Sequence, residues 1–236
     1  MIPYNTMSIG FKSPINRIGG KYFLKDWLVL HIPQHTLYCE VFAGAGHVLF
    51  GKPPSKVEVL NDIDNCLINF FQVIKNQEKR QRLIETLQYM PYSRQLWQEI
   101  RSRWKEGNIS GDPIEQACQW FYLNRTCFSG DMLRGGFAVP SVTGRNPVQS
   151  FRNVIDSLEM VAGRLRNVCI ENLPFAECIQ RYDSEDTLFF IDPPYLGAGS
   201  YYGKENFTQD DHYRLSELLH NIKRSCNGHT LSEWLI

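Results

Sequence analysis

Apolar residues in the first part of the chain come in short runs separated by turn formers. Thr36-Leu37-Tyr38-Cys39-Glu40-Val41-Phe42 reads as a strand, after which Gly44 and Gly46 open a helix. Lys56-Val57-Glu58-Val59-Leu60 makes a second short strand ending at Asn61-Asp62. Such alternation points to a parallel sheet flanked by helices. A helical section follows, in which Asp112 N-caps and Pro113 starts a helix through Ile114, Ala117, Cys118 and Phe121. Gly130, Gly135, Gly136, Pro140, Gly144 and Pro147 then interrupt regular structure, and this loop, with Arg134 and Arg145, has the character of a contact surface.

Helical spacing returns at Val154, Ile155, Leu158, Val161 and Leu165, which form one apolar face. Val168–Glu171 and Thr187–Ile191 read as strands bracketing a short helix from Phe175 to Tyr182. Thr208 with Asp211 makes an acidic capping box for a helix through Leu215, Leu218, Leu219 and Ile222, and Thr230-Leu231 begins a further strand.

Composition adds a core. Hydrophobic residues make up 43% of the 236, with 14 Phe, 11 Tyr and 5 Trp, enough for one main domain with a smaller insertion. No run approaches the roughly 20 apolar residues of a membrane span, and the N-terminus, with Asn5, Thr6 and Lys12, lacks a signal-peptide core. A soluble cytoplasmic chain is expected. The 7 cysteines form no C-x-x-C pair and have no His partners at ligand spacing, so they are expected to be small core residues, with no disulfide framework and no metal.

Net charge is zero, but it is unevenly spread. Residues 79–166 carry 13 Lys/Arg against 8 Asp/Glu, and the remainder 12 against 17. In that middle section every basic residue except Lys79 and Lys105 is arginine, the side chain best matched to phosphate oxygens and guanine edges. An ordinary solvated face is the alternative reading.

Chemistry concentrates at Asp192-Pro193-Pro194-Tyr195, directly after the apolar run Leu188-Phe189-Phe190-Ile191. The prolines fix φ twice and remove two N–H donors, so a carboxylate, bare carbonyls and an aromatic ring project together. This set suits a planar group bearing an amine, such as a nucleobase. Phe42-Ala43-Gly44-Ala45-Gly46 lies at a strand-to-helix turn, and Asp62, ending the next strand, is placed to accept bonds from ribose hydroxyls. A third glycine and a Gly-Lys-Ser/Thr run are both missing, which argues against a dinucleotide or a nucleoside triphosphate. A nucleoside without phosphates remains, and S-adenosylmethionine is one.

Together with Gly19-Gly20-Lys21 and Asn61-Asp62-Ile63-Asp64, these motifs resemble those of the Dam-type (D12 class) DNA adenine-N6 methyltransferases, from about Pro14 to Asn227. The resemblance implies a doubly wound α/β fold of the S-adenosylmethionine-dependent type with an inserted helical target-recognition domain. Its parts would be a cofactor-binding part at 1–78, a DNA target-recognition insert at 79–166 and a catalytic part at 167–236. Lys21, Glu40, Phe42, Gly44, Gly46, Asp62 and Phe175 would bind the cofactor. Glu40 would face the methionine ammonium or serve only as a helix-terminus charge, and Phe175 would pack on the cofactor adenine or be a core aromatic. Asp192, Pro193, Pro194 and Tyr195 would be catalytic, and Asn124, Arg125, Ser129 and Arg134 would contact DNA. The implied partner is double-stranded DNA, beside a cognate restriction enzyme or without one, with the chain acting as a monomer.

Two departures stand out. Arg17 lies two positions before the Gly-Gly-Lys, where relatives carry an aromatic or similar apolar residue. The chain also ends at Ile236, where relatives continue with a fifth strand and a closing hairpin, so a truncated and less stable protein is expected. Alternatives are an inactive relative that still binds DNA or cofactor, and a methyltransferase acting on cytosine N4 or on RNA adenine.

Overall fold

The computed structural model of the protein describes residues 11–195 and 207–222. Four parallel strands, β1 (Leu37–Glu40), β2 (Val57–Asn61), β3 (Val168–Glu171) and β4 (Thr187–Phe190), form one sheet in the order β3-β2-β1-β4. Each lies where the apolar runs place it. The strand expected at Thr230-Leu231 falls outside the described residues.

Alternation along the strands sorts side chains onto two faces. Tyr38 and Leu60 point to one core, while Cys39, Val41, Val59 and Phe189 point to the other. The second face is covered by α9 (Phe175–Tyr182) and α10 (Gln209–Asn221), the latter opened by the expected capping box of Thr208 and Asp211. The first face carries α1 (Lys25–Leu30), α2 (His47–Gly51), α3 (Asn65–Lys75), α4 (Gln77–Tyr89), α5 (Arg94–Lys105), α6 (Pro113–Thr126), α7 (Pro147–Asp156) and α8 (Leu158–Leu165). Helices on both faces of a parallel sheet make the α/β, doubly wound architecture.

Asp112 caps α6 as its sequence signals, its carboxylate accepting from the Ile114 and Glu115 N–H groups. Such a cap contributes about 1 kcal/mol. Behind it, Phe70 of α3 stacks on Phe121 of α6 at 5.1 Å and 9° and lies 5.4 Å from Trp120. One apolar core runs from Tyr38 and Leu60 through Phe70 and Phe121 to Phe151, so the helical section is built onto the sheet.

A buried ionic knot fastens it further. Glu58, on the sheet, accepts from Lys52 Nζ at 2.5 Å and from Arg164 Nη1 and Nη2 of α8 at 2.5 and 2.8 Å. Burial opposes the Glu58 charge, yet Arg164 and Lys52 outweigh it and hold its carboxyl below the usual range.

Three details depart from the sequence reading. The apolar face from Val154 to Leu165 packs in one core, but the helix carrying it is interrupted at Ser157, whose hydroxyl bonds the Val154 carbonyl at 2.7 Å and competes with helix continuation. Among the cysteines, Cys39, Cys118, Cys127 and Cys178 are small core residues, but Cys66 is half-buried and Cys169 is exposed on β3, a strand paired only through β2 among the described residues. Helix α1 has no counterpart in the sequence reading. Among the described residues no helix is long and apolar enough to cross a membrane.

Candidate functional site

Strand order explains why two motifs about 150 residues apart meet. Strand β1 pairs with β2 on one side and β4 on the other, with Glu40 opposite both Leu60 and Phe190. Neighbouring strands lie about 4.8 Å apart. The Gly44–Gly46 turn after β1, Asp62 after β2 and Asp192 after β4 therefore leave the same edge of the sheet. This is the crevice beyond the carboxyl ends where the winding reverses.

The turn is specified by backbone conformation. Gly44 has φ +49° and Gly46 φ +65°, the left-handed region, and a Cβ on Gly46 would stand 3.2 Å from the Phe50 ring. Asp62 holds the turn: its Oδ2 accepts from the Gly44 N–H at 2.8 Å and its Oδ1 from the Asp64 N–H at 3.0 Å. Each oxygen keeps a lone pair for a further donor. Burial raises the Asp62 pKa above the ordinary carboxylate value, although Arg17 and these backbone donors work against the rise. Arg17 pairs through Nη1 with Asp64 Oδ2 at 3.0 Å, and its side chain runs past the Gly44 turn.

Glu40 is almost wholly buried, at 1% exposure. Its Oε2 accepts from the Tyr38 hydroxyl and from the Leu49 N–H in the first turn of α2, both at 3.1 Å. Burial pushes its pKa to about 8, with those two bonds pulling the other way. Glu40 thus serves the helix terminus and also lines the cavity.

At the other motif, Lys21 Nζ donates to Asp192 Oδ2 at 2.5 Å, to the Tyr195 hydroxyl at 3.3 Å and to the Gly19 carbonyl at 3.1 Å. Burial opposes the lysine charge, but Asp192 and then Tyr195 outweigh it, so the Lys21 pKa stands above its usual value. Burial likewise raises the Asp192 pKa, and Lys21 offsets that only in part. The Tyr195 ring is half exposed, at 51%.

Most of these groups share a cavity of about 610 Å³, whose lining does not include Tyr195. Lys21, Glu40, Phe42, Gly44, Gly46, Asp62, Asp192 and Pro194 line it. So do His47, Trp104, Ile109 and Trp120, which sequence reasoning missed. No motif marks the two tryptophans, because helix packing alone brings α5 and α6 to the crevice. Burial, then the Lys25 charge, lowers the His47 pKa to about 4. Phe175 stands behind Phe42, stacked at 5.8 Å, with Phe207 edge-on to Phe42 at 5.5 Å, and it packs with the second core.

The four residues expected to contact DNA divide into two pairs. Ser129 and Arg134 are exposed on the loop, Ser129 with φ +58°. Asn124 is 2% exposed and spends both ends of its amide on the Asn16 backbone, and Arg125 donates to Asn16 Oδ1 at 2.8 Å and to Ser150 Oγ at 3.1 Å.

The model of the D12 class N6 adenine-specific DNA methyltransferase family matches residues 18–233. The chain is 28% identical to the Type II methyltransferase M.CviBI of a Paramecium bursaria Chlorella virus, over 83% of this chain and 74% of that protein. It is 27% identical to the Type II methyltransferase M.MjaIII of Methanocaldococcus jannaschii, over 87% of this chain and 78% of that protein. With the DNA adenine methylase of Escherichia coli the identity is 28%, over 86% and 74%. A sheet that brings the glycine turn, Asp62 and the Asp-Pro-Pro-Tyr corner to one crevice, and a family match across most of the sequence, lead to one conclusion: the chain belongs to the D12 class of N6 adenine-specific DNA methyltransferases.

Proposed function

We propose that the cavity binds S-adenosylmethionine along the Gly44–Gly46 turn and presents it to an adenine held at Asp192–Tyr195. The pairing of β1 with β4, which sets Glu40 beside Phe190, carries this reading, because it makes the two half-sites neighbours. The donor set fits the cofactor. Asp62 has free lone pairs for ribose hydroxyls, Glu40 is a buried acid that a bound cation such as an ammonium would draw into its charged form, and Phe42 offers a ring face. When bound, S-adenosylmethionine supplies an electrophilic methyl group on a sulfonium.

The protein's own residues handle the amine. Adenine N6 is a weak nucleophile because its lone pair is delocalised into the ring. Asp192 and the Pro193 carbonyl accept its two N–H bonds and draw the nitrogen toward tetrahedral geometry. The Asp192 carboxylate also opposes the positive charge that develops there. Tyr195 stacks on the base, which has to leave the duplex at a cost of a few kcal/mol. Lys21 must yield Asp192 Oδ2 at least in part, and it stays close enough to keep that carboxyl ionised.

In this reading residues 79–166 recognise duplex DNA, with Ser129 and Arg134 on the contact loop and Asn124 and Arg125 supporting it. The Type II names among the relatives support a cognate restriction enzyme as a partner. Calorimetry with S-adenosylmethionine tests the site: Asp62→Ala should bind weakly or not at all, whereas Asp192→Ala should bind like wild type and transfer no methyl group. Normal binding by Asp62→Ala would refute the assignment.

A further inference from the structure

Asn16 lies between the contact loop and the reacting corner, and its surroundings are unusually complete. Asn124 Nδ2 donates to the Asn16 carbonyl at 2.7 Å, and Asn124 Oδ1 accepts from the Asn16 N–H at 2.9 Å, across 108 residues of sequence. Arg125 Nη1 fixes the Asn16 side chain through Oδ1 at 2.8 Å. From the loop itself Gly130, at φ +74°, presses on the same residue: a Cβ there would stand 2.6 Å from the Asn16 carbonyl oxygen and 2.8 Å from its Cβ. One residue thus has its backbone donor, backbone acceptor and side chain all held by the helical section.

On its other side Asn16 leads directly into the lysine turn. The Arg17 carbonyl accepts from the Gly20 N–H at 3.1 Å, and the Gly19 carbonyl accepts from Lys21 Nζ, which reaches Asp192. Arg17 is also tied to Asp64. Residues 16–21 therefore form a short, doubly anchored lever. Its far end carries the lysine, and its near end is gripped by α6 and the loop.

We propose that Asn16 is the joint through which the loop at residues 128–136 sets the position of Lys21 against Asp192, with Asn124 and Arg125 as positioning residues. This rests on the reading in which Lys21 and Asp192 stand at the reacting end. Two observations favour a tuned joint over simple stitching. The amide of Asn124 satisfies both backbone groups of one residue, a contact that fixes orientation as well as distance. Gly130 leaves no room for a side chain, so the loop backbone packs directly against Asn16. Arg125 is kept in place although burial lowers its pKa to about 10 and its Nε has no hydrogen-bond partner among the described residues.

The test uses the full chain, labelled S-adenosylmethionine and unmethylated plasmid DNA. Asn124→Asp replaces the donor to the Asn16 carbonyl with an acceptor, and Gly130→Ala forces the loop off Asn16; either suffices if the other folds poorly. Both should lower kcat about 10- to 100-fold, a larger loss than any in cofactor affinity. Both should also move the acid limb of the kcat profile upward, as Lys21→Met does. Adding Asn124→Asp to Lys21→Met should slow the enzyme no further, because both act through one contact. Independent, multiplying losses, or an unmoved acid limb, would overturn the proposal. Wild-type rates in Asp192→Ala would instead overturn the reading of the site on which it rests.

Discussion

Lys21 Nζ stands 2.5 Å from Asp192 Oδ2, so the carboxylate facing the cavity is paired with a buried cation before any amine arrives. The lysine opposes the rise in the Asp192 pKa that burial imposes. Removing the charge in Lys21→Met should raise that pKa further. The acid limb of the methylation rate should then shift to higher pH, and the rate at neutral pH should fall about 10- to 100-fold. Rates measured across pH on both proteins check this; a limb that does not move means Lys21 does not set the protonation of Asp192.

Asp62 holds the Gly44 N–H at 2.8 Å, and in the proposed site its remaining lone pairs also take the ribose hydroxyls. Hydrogen bonds to a charged group contribute about 1.5–3 kcal/mol each. Asp62→Asn should therefore weaken S-adenosylmethionine binding by one to two orders of magnitude, roughly one bond's worth. Titration calorimetry gives the number directly, and unchanged affinity would move the ribose elsewhere in the cavity.

Gly46 N-caps α2 at φ +65° with the Phe50 ring where a Cβ would go. In Gly46→Ala the left-handed backbone alone costs about 1–2 kcal/mol. Displacing Phe50, a fully buried ring, adds to that. Denaturant unfolding should show the midpoint falling with the slope unchanged, and cofactor affinity should fall with it.

Glu40 predicts a pH dependence with a definite sign. Its folded pKa of about 8 lies above the unfolded value of 4.5, so the folded state binds the extra proton between them. The stability this contributes is complete below the unfolded pKa and is lost as pH rises through about 8. His47 acts oppositely, with a folded pKa of about 4 against 6.5, so its contribution is lost as pH falls through that window. Between pH 6.5 and 8 Glu40 acts without that opposition, and Glu40→Gln should flatten the decline seen in wild type. Melting temperatures at pH 6.5 and 8 compare the two; parallel declines would show that Glu40 is already ionised when folded.

Local rules carried most of the strand and cap positions. The runs at Leu37, Val57, Val168 and Thr187 form the sheet, and Asp112 and Thr208 cap helices as their types dictate, because each signal depends on a few adjacent residues. The glycine turn and the Asp-Pro-Pro-Tyr corner were legible for the same reason. What escaped depends on long-range packing. The partnership of Asn124 with Asn16 spans the chain, and nothing in either neighbourhood foretells that a surface-type side chain is only 2% exposed. Trp104 and Trp120 reach the cavity through helix docking, and residues of their type fill cores far more often than they line sites. The Ser157 break shows the reverse case, a correct apolar periodicity interrupted by one hydroxyl that finds a backbone carbonyl.

Methyl transfer to DNA is the most direct test of Asp192. Wild type and Asp192→Ala are incubated with methyl-labelled S-adenosylmethionine and unmethylated duplex DNA, and the DNA is digested to nucleosides. The account predicts label in N6-methyladenine for wild type and none for the variant; label in N4-methylcytosine, label only when RNA is supplied, or equal labelling by Asp192→Ala would contradict it.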